Sequence, residues 1–533
     1  MTTTALSESN SEVVLDASRK KLILIAMCVS LMAVIASVSI LNVAQQDLAI
    51  DFGASQGTVL WIINIYTLAL AACLLPIGAI GDRWGRKPVL TSGLVLFGIS
   101  SAIAAFAGSA EVMIAARTLG GISAAMIMPV TLSVITSSFP AEERGQAIGI
   151  WAGVAGGGGM IGMFVAAFMV DTATWRWAFV LPVILVSLGL ALTLKSVPNS
   201  REHREHPFDV IGSVLSLFAI GGIVLGIHEG PERGWTDTLT LTGLVIGLVS
   251  LLAFVIWELR HPDPLLDVRT FSNRGLAAGS LTITLLFAVM FGIFLVLFPF
   301  FQAVLGWSAL RSAVAMLPMA VVMMPTSAFA PQIAKRIGTR STMLTGLAVA
   351  ATGLITLALR ASVEGGYLSV LPGLLIIGLG MGLTMTPSTE AITESLPADK
   401  QGVASALNDT TREVGGAVGV ALLGAILTSG YRDAVGPKLE GLPSELSHQV
   451  SEGIGNAYGA VAAAGDSLTK EQSAQIIDAA QHAFIDGWVS SMWIGVGLVT
   501  VAFLYVLFRG PRSSDDVLDS DLDLDAEKDP QPA

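Results

Sequence analysis

The stretch G-A-I-G-D-R-W-G-R-K-P-V-L, Gly78 to Leu90, decides how this chain is read. It gathers an aspartate, two arginines and a lysine between Asp82 and Lys87. They follow a segment, Gln56 to Gly81, that carries no charge, and they precede another long apolar run. Gly78, Gly81 and Gly85 space the cluster and allow tight turns and close backbone approach.

Composition explains the setting. Of 533 residues, 53% are hydrophobic and 13% charged, and the mean hydropathy is +0.72. A soluble chain carries about a quarter charged residues, and one this long divides into domains joined by polar linkers. Here the apolar runs are about 20 residues each, the length a helix needs to cross a ~30 Å hydrocarbon core. Fourteen spans are predicted, at 22–44, 57–80, 88–108, 112–138, 146–170, 177–195, 210–228, 238–257, 275–303, 312–334, 341–359, 367–389, 401–429 and 484–508. The fold class is an all-α integral membrane protein with 14 transmembrane helices. The basic residues Arg19 to Lys21 precede the first span, which is too long for the core of a cleaved leader and is retained.

An even number of spans puts both termini on one side. With cytoplasmic termini, twenty of the 29 Lys and Arg fall in cytoplasmic segments and seven outside, the bias of the positive-inside rule. Gly78 to Leu90 then faces the cytoplasm. The expected organisation is a cytoplasmic tail (1–21), a six-helix half (22–195), a linker with two inserted helices (196–274) and a second six-helix half (275–508). The second half includes an extracellular loop (430–482) whose amphipathic helical pieces form a surface cap. An acidic, disordered cytoplasmic tail (509–533) supplies much of the net charge of −12. Cys28 and Cys73 lie in apolar runs, so neither a disulfide nor a metal site is expected, and no basic face offers itself to nucleic acid.

A second cluster, P-Q-I-A-K-R-I-G-T-R from Pro331 to Arg340, falls between the second and third spans of the second half, where the first cluster falls in the first half. Such internal repeats build many secondary transporters. On these residues the chain resembles the major facilitator superfamily. G-A-I-G-D-R-W-G-R-K at 78–87 is similar to the cytoplasmic-loop signature of that family, motif A. Two spans inserted between six-helix halves, and W-R-W-A-F at 175–179, look like its 14-span drug:proton antiporter branch of EmrB/QacA type.

The resemblance implies the major facilitator fold and a proton-motive-force-driven exporter of amphipathic or lipophilic small molecules, working by alternating access. That is multidrug efflux, with antibiotic resistance as its consequence, by a multi-pass protein of the cell membrane, a bacterial inner membrane. It implies a monomer among membrane lipids, with no cofactor beyond the proton as coupling ion. Within motif A, Gly78, Asp82, Arg83, Gly85, Arg86 and Lys87 form a gating loop. Asp82 is expected to latch the halves together near Ala398 to Gly402, where a helix N-terminus favours an anion. Arg83, Arg86 and Lys87 are expected to hold cytoplasmic acids or lipid phosphates.

The chain also departs from the family pattern. Ser37 stands where the family has an aspartate, in A-S-V-S-I-L-N-V-A-Q-Q. The fifth span, G-V-A-G-G-G-G-M-I-G-M-F-V-A-A, lacks the family's Gly-Pro, and Gly156, Gly157, Gly158, Gly159 and Gly162 predict a flexible kink. The fourth span keeps Arg117, and an arginine inside a membrane is costly and marks a candidate site. In the thirteenth span Asp409, Arg412 and Glu413 share one helical face. One acid pairs with Arg412 and stays ionised; the other, desolvated beside a like charge, is free to carry a proton. Asp409 or Glu413 thus stands in for the missing acid at position 37. Ser37, Asn42, Trp61, Asn64, Tyr66 and Arg117 are candidate lining residues of a central substrate cavity.

No G-x-x-x-x-G-K-[ST] occurs, which argues against ATP-driven transport by this chain alone. No Ser/His/Asp triad or paired-carboxylate hydrolase site is visible, and His228 and His261 sit beside loops. An enzyme is not expected. Two other readings remain open: a dedicated exporter of one endogenous amphiphile (a lipid, siderophore or antibiotic), and a non-transporting membrane sensor or assembly partner.

Overall fold

The computed structural model describes residues 16–198 and 208–511. The N-terminal tail through residue 15, residues 199–207 of the linker and the acidic tail from 512 onward lie outside the described residues. Among the described residues, fourteen helices are long and apolar enough to cross a membrane. They are α1 (Ala17–Val43), α2 (Gln56–Trp84), α3 (Arg86–Ala105), α4 (Ala110–Ser138), α5 (Ala141–Thr172), α6 (Val180–Ser196), α7 (Val210–Arg233), α8 (Thr238–Glu258), α9 (Arg274–Pro299), α10 (Ala309–Ile337), α11 (Thr339–Arg360), α12 (Gly366–Glu394), α13 (Gln401–Val435) and α14 (Lys470–Arg509). Among the described residues there are no strands.

Side-chain caps set several helix starts. The Ser55 hydroxyl accepts from the Thr58 amide at 3.2 Å, Asp209 from Gly212 at 2.8 Å and Asn273 from Gly275 at 2.7 Å. Each supplies an acceptor for an N–H that the first helical turn leaves free. The sharp joints after α2 and α10 fall on glycines at φ 109° (Gly85) and 87° (Gly338), which other residues rarely adopt. The two halves therefore turn at corresponding points.

Three boundaries differ from the sequence reading. Arg19, Lys20 and Lys21 lie within α1 rather than before it. Arg19 donates to the Ser196 carbonyl at the end of α6 (2.9 Å) and Lys20 pairs with Glu143 (2.8 Å), so helical geometry satisfies these cations. The 430–482 segment is largely helical extension. α13 runs on to Val435, α14 starts at Lys470 behind a Thr469–Gln472 capping box, and helices Ser444–Glu452 and Ile454–Ala464 lie between them. His228 lies inside α7, not beside a loop.

Helix contact depends on small residues, because lipid tails are as apolar as leucine and burial alone does not draw helices together. The inserted pair α7 and α8 crosses at Gly222 and Gly226 against Gly243 and Gly247. A methyl group added at Gly222 would lie 2.6 Å from the Gly247 nitrogen. Two of the crossings between the halves are set by small residues. Gly78 of α2 abuts Gly402 of α13, and Gly149, Gly153 and Gly157 of α5 abut Ser327, Met324 and Ala320 of α10.

Candidate functional site

The α2–α13 crossing is built around Asp82. Both carboxylate oxygens accept from the Gly402 amide at 2.8 Å, one also accepts from Val403 at 3.2 Å, and Arg86 donates to the other at 3.1 Å. Asp82 is 1% exposed. The free N–H groups and positive end of α13 hold the anion, and only glycine at 78 and 402 lets the two backbones come this close.

The three basic residues of the loop find different partners, and only Lys87 departs from the expected acids or phosphates. Arg86 is buried and its acid is Asp82, four residues back on the same loop. Lys87 donates to the carbonyls of Leu194 and Val197 (3.0 and 2.9 Å), where the end of α6 leaves acceptors unfilled. Arg83 faces a crevice shared with Asp209 and Asp263.

This crevice joins the inserted helices to the crossing. Asp209 accepts from Trp257 (3.0 Å) and from the Leu265 amide (3.4 Å), and Glu258 from the Leu266 amide (3.3 Å). Lys400, immediately before α13, donates to the Pro264 carbonyl at 2.7 Å. The sequence reading missed Asp209, Glu258 and Lys400 because acids and bases at span ends look like ordinary loop residues.

The second crossing is chemically different. Lys335, at the position corresponding to Asp82, donates to the Glu142 carbonyl at 3.0 Å. Glu390 of α12, also missed, lies against Gly145. α5 runs without a break from Ala141 to Thr172 through its glycines. Gly156 and Gly157 receive Met323 and Met324, and Gly158, Gly159 and Gly162 face Met32, Ile35 and Ala36 of α1. The glycines are where neighbouring helices come close.

Asp409 and Arg412 lie buried in α13, near the interface between the halves. Asp409 accepts from Asn408 at 3.1 Å, and its Oδ1 is 3.8 Å from Arg412, a loose ion pair. The Arg412 guanidinium sits over Trp151 of α5 (4.7 Å) and Phe287 of α9 (5.1 Å), thereby touching both halves. Asp409 Oδ2 and all three guanidinium nitrogens lack a hydrogen-bond partner. Glu413 is half-buried one residue on.

The cavity candidates separate. Ser37, Tyr66 and Arg117 form one buried cluster. Arg117 donates to the Ser37 hydroxyl (2.9 Å), and its guanidinium lies 4.1 Å from the Tyr66 ring centre. Trp61 instead lines a groove of 370 Å³ with Leu60, Glu229 and Arg233, beside the inserted helix α7. Asn64 is half-buried, and the side chain of Asn42 lies outside the described residues.

Comparison with known proteins agrees with this architecture. Residues 26–420 match the family model described as Major Facilitator Superfamily. The chain is 34% identical over 466 residues to the multidrug efflux pump LfrA of Mycolicibacterium smegmatis, covering 87% of this chain and 91% of that one. It is 30% identical over 472 residues to the methyl viologen resistance protein SmvA of Salmonella typhimurium, covering 88% and 93%. The solved structure of the proton:xylose symporter XylE aligns with a TM-score of 0.57 at 16% identity, covering 93% of this chain and 97% of that one, a likeness of fold.

Proposed function

The chain belongs to the Major Facilitator Superfamily, and from that premise we propose that it is a proton-driven exporter of amphipathic or lipophilic small molecules in a bacterial plasma membrane. Relatives named for multidrug efflux and for methyl viologen resistance support this substrate class. The observation that carries the mechanism is the Asp82 carboxylate on the Gly402 and Val403 amides. It joins the halves at one end, as an exporter closed toward the cytoplasm requires. The loop's basic residues and the positive-inside bias support a cytoplasmic location for that end. The protein works as a monomer among lipids, with the proton as its coupling ion.

Asp409 and Glu413 carry the proton in this reading. A proton on Asp409 removes its attraction for Arg412, whose guanidinium also rests on Trp151 of the other half. Protonation thereby alters a contact between the halves, and rocking of the halves follows. The test is efflux of a lipophilic dye from overexpressing cells, with and without a protonophore, beside the Asp409→Asn/Glu413→Gln double variant. Protonophore-sensitive efflux that the double variant abolishes is the expected result. Sensitive efflux that survives the double variant would take the coupling out of α13.

A further inference from the structure

Arg117 is a buried cation with no counter-charge beside it among the described residues. It is 3% exposed. Its Nη1 donates to the hydroxyl and carbonyl of Ser37 (2.9 and 3.2 Å), and its flat face rests on Tyr66. The Tyr66 hydroxyl is itself committed to the Val34 carbonyl at 3.2 Å. Nε and Nη2 have no acceptor, and among the described residues no carboxylate comes within ion-pairing distance. Arg412, by contrast, has Asp409 at 3.8 Å. A guanidinium stays charged inside the protein, and an enclosed charge without a counter-charge is costly.

The unfilled atoms have a definite shape. Nε and Nη2 form one edge of the planar group, with parallel N–H donors spaced for two oxygens of one carboxylate or phosphate. Tyr66 fixes the plane and Ser37 occupies the opposite corner, so this edge is oriented and without an acceptor. Resting on the export reading above, we propose that Arg117 binds the anionic group of the exported molecule. The substrate class is then amphipathic anions bearing a carboxylate, sulfonate or phosphate.

The experiment uses proteoliposomes of the full chain and two amphipathic dyes of similar size, one a carboxylate and one a quaternary ammonium. Each is measured in the wild type and in the Arg117→Gln, Arg117→Lys and Ser37→Asp variants. Ser37→Asp sets a carboxylate where an oxygen now lies 2.9 Å from Nη1, meeting the charge from within. The wild type is expected to export the carboxylate dye. Arg117→Gln and Ser37→Asp are each expected to lower the ratio of carboxylate to ammonium transport by about tenfold or more, the equivalent of one charge-assisted hydrogen bond. Arg117→Lys is expected to retain part of the ratio, because it keeps the charge and loses the two-donor edge. Because the readout is a ratio within one preparation, a variant that reconstitutes poorly still reports. Wild-type export of the ammonium dye alone, or an unchanged ratio in Ser37→Asp, overturns the anion site and leaves the export reading standing. Export of neither dye by well-folded wild-type protein overturns both.

Discussion

Asp82→Asn keeps the size of the side chain and removes the charge that the first amides of α13 and Arg86 share. It leaves Arg86 buried without an anion, and breaking a buried pair in this way costs about 3–5 kcal/mol. The α2–α13 contact is expected to open. A cysteine at Ala406, which is fully buried here beside Gly78, should then react with a membrane-impermeant maleimide from the cytoplasmic side faster than in the parent. Unchanged labelling would mean that Asp82 does not hold this contact. The partner of Asp82 was expected near Ala398 to Gly402 from the resemblance of its loop to motif A, and a helix N-terminus there is what an anion favours. The partners of Lys87 were not expected. A carbonyl acceptor has no residue identity, and the end of α6 is an ordinary apolar run until folding brings it beside Lys87.

At the level of helices, the GxxxG pairs of α7 and α8 give a direct test of how the inserted helices are held. Gly222→Ala with Gly247→Ala places methyl groups against the partner backbone on both sides of the crossing. Overpacking of this kind costs about 1–3 kcal/mol per site, so the midpoint of thermal unfolding in detergent should fall. Gly455→Ala, with nothing within 4 Å of its new carbon, should leave the midpoint almost unmoved. Equal midpoints for the two variants would remove close glycine contact as the cause of the pairing. The existence and order of the spans were readable from the hydrophobic runs alone. What packs against the glycines of α5 was not. Four adjacent glycines predict a weak point in an isolated helix, whereas here Met323 and Met324 on one side and α1 on the other occupy the space they leave. Packing decided what local propensity left open.

For the whole molecule, the two crossings are chemically unlike although they occupy matching places. One is an aspartate on amides; the other is a lysine on the Glu142 carbonyl. A thiol cross-linker joining Glu142→Cys to Lys335→Cys should therefore tie the halves at this end. Dye efflux is expected to stop on cross-linking and to return when a cleavable linker is cut; efflux that continues through a complete cross-link would show that this end need not open. The doubling itself was visible in the two basic clusters, but the change from acid to base at the corresponding position acquires meaning only once each is seen against the opposite half. The last helix has a further use. α14 is one rod of 40 residues, about 60 Å long at the helical rise, twice the hydrocarbon thickness. A rod anchored in one half with about 30 Å of its length beyond the hydrocarbon is a lever. Tilts too small to resolve within the bilayer are magnified at its tip, so a spin label or fused nanobody epitope near Lys470 would turn the transport cycle into a displacement that can be timed.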